Sequence, residues 1–129
     1  MRSSSTAKCK DVDSPNRSDS QLAVIRTMLF GLDPFFRIRS TMPASAIQAF
    51  LLVAEKEGLG VGEYAKKAGI SPTTMSRHLL DMGERNRHAE EGAGLVEGRE
   101  NILNRREKVY HLTARGRAFL SSITQRVRA

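Results

Sequence analysis

The sequence predicts a mainly α-helical domain with one small β-hairpin, and three observations carry that reading. Apolar residues recur at helical spacing through most of the chain. Two short helical stretches meet at Gly69 within "VGEYAKKAGISPTTMSRHLLDM", residues 61–82. Two runs with strand character, residues 94–97 and 107–112, follow closely and flank a polar turn. Helix, tight turn, helix and hairpin in that order make a winged helix-turn-helix.

The elements follow in chain order. Residues 1–18 offer almost nothing to bury and are expected to form a disordered arm. The domain is expected to span residues 19–129. Leu22, Ile25 and Leu29 fall on one helical face, widened by Val24 and Met28. Gly31 is expected to end that helix, with Asp33-Pro34 capping a short turn through Phe35 and Ile38. A second helix begins near Pro43, buries Ile47, Phe50, Leu51 and Ala54, and stops at Gly58. Val61, Tyr64, Ala65 and Ala68 suit a short amphipathic helix, and Gly69 a turn needing positive φ. Ser71-Pro72 is a strong helix start, with Ser as N-cap and Pro at the first helical position. Ile70 is placed to staple onto Met75. Met75, Leu79 and Met82 then share a face. Thr113 reads as the N-cap of a last helix whose stripe is Phe119, Leu120, Ile123 and Val127.

The second helix of the pair carries the chemistry. Ser71, Thr73, Thr74, Ser76 and Arg77 crowd its N-terminal half, and Thr73, Thr74 and Arg77 lie away from the apolar face. Hydroxyls and arginine are the groups that reach phosphates and base edges in a major groove. The bland alternative is a soluble helical hairpin whose outer face contacts nothing. The hairpin adds cations. Arg99 precedes its turn, and "NRREKVYHLTARG", residues 104–116, brings Arg105, Arg106 and Lys108. A strand that returns to the core from such a turn would hold these charges at the end of a lever. There they can meet the DNA backbone or a narrow minor groove.

Charge agrees with a polyanionic partner. The net charge is +7 over 129 residues, with pI near 10.2. Residues 85–129 hold ten Lys/Arg against five acids, whereas residues 41–84 hold four against five. A solvated face is the bland reading of such a cluster. Other classes find little support. No apolar run is long enough to span a bilayer, so no membrane partner is expected. A single cysteine cannot form an internal disulfide, which fits a cytoplasmic setting. Cys9 sits in the polar arm, and His78, His88 and His111 lack metal-ligand spacing. No nucleophile-base set and no phosphate-cradling Gly loop is present. The expectation is no enzyme, no cofactor and no metal, and nothing indicates a small-molecule effector.

Together, "GEYAKKAGISPTTMSRHLLDM", "GLVEGRE" and "NRREKVYHLTARG" resemble the winged-helix regulators of the MarR type. The resemblance covers roughly residues 42–120. Its most specific part is the wing, where Asn104-Arg105, Val109, Leu112-Thr113 and Gly116 match the family pattern of Asp-Arg, a strand, Leu-Thr and a later Gly. Asn104 departs from the family's Asp, and the connection from Met82 to Leu95 is longer than the family's. The resemblance implies a homodimeric transcriptional regulator, often a repressor. Residues 71–82 would read the major groove of double-stranded DNA, and the wing, residues 97–108, the backbone or minor groove. The alternative is a winged-helix protein-interaction module without specific DNA binding.

Overall fold

The computed structural model describes residues 17–84, 92–103 and 107–128. Among these residues, five helices and three short antiparallel strands follow one another in the order α1 (Asp19–Ile38), α2 (Ala44–Glu55), β1 (Leu59–Gly60), α3 (Val61–Ala68), α4 (Pro72–Asp81), β2 (Val96–Glu100), β3 (Lys108–Leu112) and α5 (Ala114–Arg128). Most of the arm expected over residues 1–18 lies outside the described residues. Ser18, at its end, is already the N-cap of α1 (Asp19–Ile38). Its hydroxyl accepts from the Gln21 amide, and the Ser18 amide donates to the Gln21 side chain. These two bonds form a capping box.

α1 does not stop at Gly31. It runs unbroken through Gly31 and Pro34 for 20 residues. Pro34 cannot donate to the carbonyl four residues back, which ordinarily costs a helix about 3 kcal/mol. Packing offsets this loss. Phe35 is buried in the core, edge-on to Phe50 at 5.5 Å and to Phe119 at 5.0 Å. Asp33 adds a link to Arg126 of α5 at 2.8 Å. The last turn of α1 is thus held from outside itself, a tertiary term that local spacing does not carry.

α2 (Ala44–Glu55) starts after Pro43 and ends with Lys56 as its C-cap. Its buried face is Ala46, Ile47, Ala49, Phe50 and Val53. Leu51, expected inside, is exposed, and Val53 takes the inner position. Gly58 lies beyond the helix end, in a left-handed conformation (φ +89°) that lets its amide donate to the Tyr110 carbonyl at 2.8 Å. β1 (Leu59–Gly60), which the spacing did not suggest, pairs there with β3.

α3 (Val61–Ala68) and α4 (Pro72–Asp81) form the expected helix-turn-helix. Gly69 at the corner has φ +72°. β2 (Val96–Glu100) and β3 (Lys108–Leu112) form the wing, in the sheet order β1-β3-β2. β2 begins later than expected because Gly94 adopts φ +71°, outside strand geometry. It runs three residues further, to Glu100, so the turn is shorter than the polar composition implied. α5 (Ala114–Arg128) closes the fold against α1. The core gathers Tyr64, Phe35, Phe50, Met75, Met82, Leu95 and Leu112, all fully buried.

The long connection after α4 leaves that helix unextended. The helix ends at Asp81, and the chain is tied off at the base of the connection. Gly92 N–H donates to Glu84 O at 2.9 Å, Gly94 N–H to Gly83 O at 2.7 Å, and Leu95 N–H to Met82 O at 2.8 Å. Residues 85–91 between these ties are outside the described residues.

Candidate nucleic-acid interface

α4 sorts its side chains by face. Met75 and Leu79 are buried against the core. Thr73, Arg77 and Leu80 are exposed and recur at i, i+4 and i+7, one stripe along the outer side. Ser76 is half-buried beside it. Arg77 has no acidic partner among the described residues. Ser71 and Thr74 are differently employed. Ser71 Oγ accepts from the Thr74 amide at 3.2 Å, and the two hydroxyl oxygens stand 2.9 Å apart. Their first commitment is to the helix start. Each retains exposure, and the positive end of the helix dipole lies beside them.

The wing holds its charges unequally. Arg99 is clamped by Glu97, with Nη2 at 2.6 Å and Nε at 3.2 Å from Oε1. The pair sits on one face of β2 and is close to neutral as a unit. Lys108 is exposed and free of any acidic partner among the described residues. It lies opposite Glu100 in the strand register and reaches across Gly98, where a Cβ would stand 3.3 Å from Lys108 Cδ and 3.2 Å from the Tyr110 ring. Arg105 and Arg106 lie outside the described residues.

The base of the wing is fastened at several points. Glu57, in the loop after α2, accepts from the Leu112 amide at 2.9 Å and from Arg117 at 3.3 Å. His111 Nδ1 is 3.6 Å from the same oxygen. Thr113 Oγ1 donates to Gly94 O at 2.8 Å and accepts from the Gly116 amide at 2.9 Å, so one hydroxyl caps α5 and ties it to the segment that leads into β2. Gly116 has to be glycine, because a Cβ there would collide with the Leu95 carbonyl. Tyr64 Oη donates to Lys56 O at 2.6 Å, and burial pushes its phenol above the usual range. Tyr110 packs edge-on to it at 6.5 Å and is raised by burial as well. Both phenols therefore stay neutral through the physiological range.

Two clefts flank the hairpin. One, of about 580 Å³, runs between the C-terminal end of α4 and the wing strands, with Leu80, Glu97, Gly98 and Lys108 on its walls. The other, of about 710 Å³, lies between the start of α3 and β3, and brings Lys66, Lys67 and Lys108 together beside Glu63 and Glu107. Lys66 and Lys67 were not singled out from sequence. Their signal was the basic pair in the last turn of α3, which reads equally well as ordinary helix C-terminal chemistry. Among the described residues, no cluster of three or more His, Cys, Asp or Glu could hold a metal, and no helix is long and apolar enough to cross a membrane.

No protein-family model matches the sequence, and no curated protein matches it. Solved structures do match the fold. RV1404 from Mycobacterium tuberculosis superposes with a TM-score of 0.65 at 16% identity, over 89% of this chain and 77% of that one. The transcriptional repressor CouR, bound to a 23-mer DNA duplex, gives 0.57 at 24% identity over 85% and 70%. Wild-type MarR from E. coli in its apo form gives 0.57 at 16% identity over 88% and 78%. This chain therefore has the winged helix-turn-helix fold of the MarR-type transcription regulators.

Proposed function

We propose that this protein is a sequence-specific, double-stranded DNA-binding transcriptional regulator acting as a repressor. α4 enters the major groove with Thr73, Ser76 and Arg77 as its reading side chains, and Ser71 and Thr74 hold its start against the backbone. The wing lies on the backbone or minor groove through Lys108 and the sequence-adjacent Arg105 and Arg106, with Arg99 in a lesser role. The carrying observation is the exposed stripe on α4. It puts an arginine without an acidic partner among the described residues, and a hydroxyl, on the outer side of a helix-turn-helix, with Lys108 of the wing on the wall of the cleft at the end of the same helix. The likeness to a repressor solved on DNA supports the same reading.

A homodimer accompanies it. Val24, Ile25, Met28, Leu29 and Phe30 of α1 are all exposed, each by 42% or more. A second copy of this helix is the simplest cover for such a surface.

Leu80 favours one competing reading, because an exposed leucine on the outer stripe of α4 suits a protein partner too. Selection of bound duplexes from a random pool, followed by a salt titration, decides between the two. A DNA regulator recovers a common sequence and loses affinity steeply as salt rises, through counterion release. A protein-interaction module recovers none and binds duplex weakly even at low salt.

A further inference from the structure

Three lysines meet across one cleft, and none is paired with the acids beside it. The cleft between the start of α3 and β3 has Lys66 and Lys67 on one wall and Lys108 on the other. Lys66 and Lys108 are exposed and have no acidic partner among the described residues. Lys67 has one long, exposed contact, to Glu55 at 3.8 Å, of a kind that stabilises little. Glu63 and Glu107 share the walls, and neither is paired with a lysine among the described residues. Gly60 and Gly62 add a stretch of wall without side chains. A Cβ on Gly62 would have nothing within 4 Å, so a bulky group can come close there.

The position of the cleft selects its occupant. Adjacent major and minor grooves of a duplex are divided by one sugar-phosphate strand. A protein with α4 in the one and its wing in the other straddles that strand, which must cross the surface between helix-turn-helix and hairpin. Two clefts lie there, and their charges differ. At the end of α4, Lys108 and Arg115 face Glu84 and Glu97, and Leu79, Leu80 and Val96 add apolar wall. Beside α3, three lysines face two acids, without such a floor. A phosphate strand is better matched by the second. We propose that the cleft between α3 and β3 seats the DNA strand that divides the two grooves, with Lys66 and Lys67 joining Lys108 as phosphate contacts. This rests on the DNA-binding reading above and adds two residues to its interface. Contacts of this kind fix the register of a protein on the duplex and read no sequence themselves.

The experiment compares the full chain with a Lys66→Ala/Lys67→Ala variant on a duplex recovered by selection, in which neutral methylphosphonates replace the phosphates one at a time. The wild type should lose affinity at positions on the strand between the contacted major and minor grooves. The variant should bind more weakly and be indifferent to replacement at those positions. Its slope of log affinity against log salt should fall by about two, one unit for each lysine. Selection should return the same sequence for both proteins. Glu63→Gln should act in the opposite sense and tighten binding to specific and random duplexes alike. Circular dichroism of the lysine variant should match the wild type, because both side chains are exposed. A variant with the wild-type slope and the wild-type methylphosphonate pattern overturns the phosphate seat while leaving DNA binding intact. A variant that selects a different sequence does the same, by placing the lysines on bases. Saturable binding of inorganic phosphate to the wild type, lost in the variant while the DNA slope stays unchanged, gives the cleft to a free anion and also overturns it. A wild type that fails to bind any duplex at low salt overturns the seat together with the proposed function.

Discussion

Arg77 and Arg99 carry the same formal charge and differ in what they can offer a nucleic acid. Arg77 stands on the outer stripe of α4 with no acidic partner among the described residues. Replacing it by alanine should cost about 1–3 kcal/mol at the preferred duplex and relax sequence choice if the guanidinium meets a base. Equal weakening on specific and random duplexes would instead assign it to phosphate, and no weakening on either would remove it from the interface. Arg99 is already neutralised by Glu97 at 2.6 Å. Glu97→Ala should therefore tighten DNA binding and steepen the slope of log affinity against log salt by about one, the share of one released arginine. An unchanged slope would keep Arg99 away from the phosphates. The sequence showed these residue types but not their pairings. Hydroxyls that cap a helix and hydroxyls that contact DNA are the same Ser and Thr, and only geometry shows Ser71 and Thr74 turned toward each other.

The helix-turn-helix was legible as an element because its signals are local. Gly69 needs its positive φ, Ser71-Pro72 starts a helix, and Met75, Leu79 and Met82 keep one face. The wing was legible in outline for the same reason. What escaped was set across the fold. α1 runs through Gly31 and Pro34 because Phe35 is gripped by Phe50 and Phe119, and β1 exists because β3 is there to pair with it. Gly116 shows the same dependence in one residue. In an exposed helix, Gly→Ala gains up to about 1 kcal/mol. Here the added methyl meets the Leu95 backbone, which cannot swing aside. Gly116→Ala should therefore destabilise the fold by about 1–3 kcal/mol in urea unfolding, in line with overpacking elsewhere. A neutral or stabilised variant would mean that the first turn of α5 stands off from Leu95. The link between α1 and α5 should also depend on pH. The hydrogen bond from Arg37, with further attraction from Arg37 and Arg126, holds the Asp33 carboxyl below its usual value. A lowered folded-state value means that the stabilisation is present above the ordinary carboxylate range and is lost as pH falls through the lowered one. Thermal midpoints of the wild type and Asp33→Asn should differ near neutrality and converge in acid. A gap that stays constant with pH would show that the pair contributes nothing through its charge.

At the scale of the whole molecule, the proposed dimer would set how the protein meets DNA. α1 extends for about 30 Å at 1.5 Å per residue. Its C-terminal turn is buried at Phe35, but between Val24 and Phe30 it presents five large apolar side chains to solvent. An isolated winged helix gains nothing from exposing that stripe. Two copies related by a two-fold axis would cover both stripes at once, since the same patch serves each side. They would also set two α4 helices at a fixed separation, which a palindromic site with half-sites about one helical turn apart would match. Light scattering of the intact chain at micromolar concentration should give twice the 14.3 kDa chain mass. Met28→Glu/Leu29→Glu should give the monomer mass with the same helical content, because both side chains lie outside the core. On DNA the monomeric variant should bind a single half-site about as well as the wild type does. It should lose the gain that the wild type shows on two half-sites, since linked binding depends on effective concentration rather than on new contacts. A monomer mass for the intact chain, or a Glu variant that keeps the two-site gain, would mean that α1 covers something other than a second copy of itself.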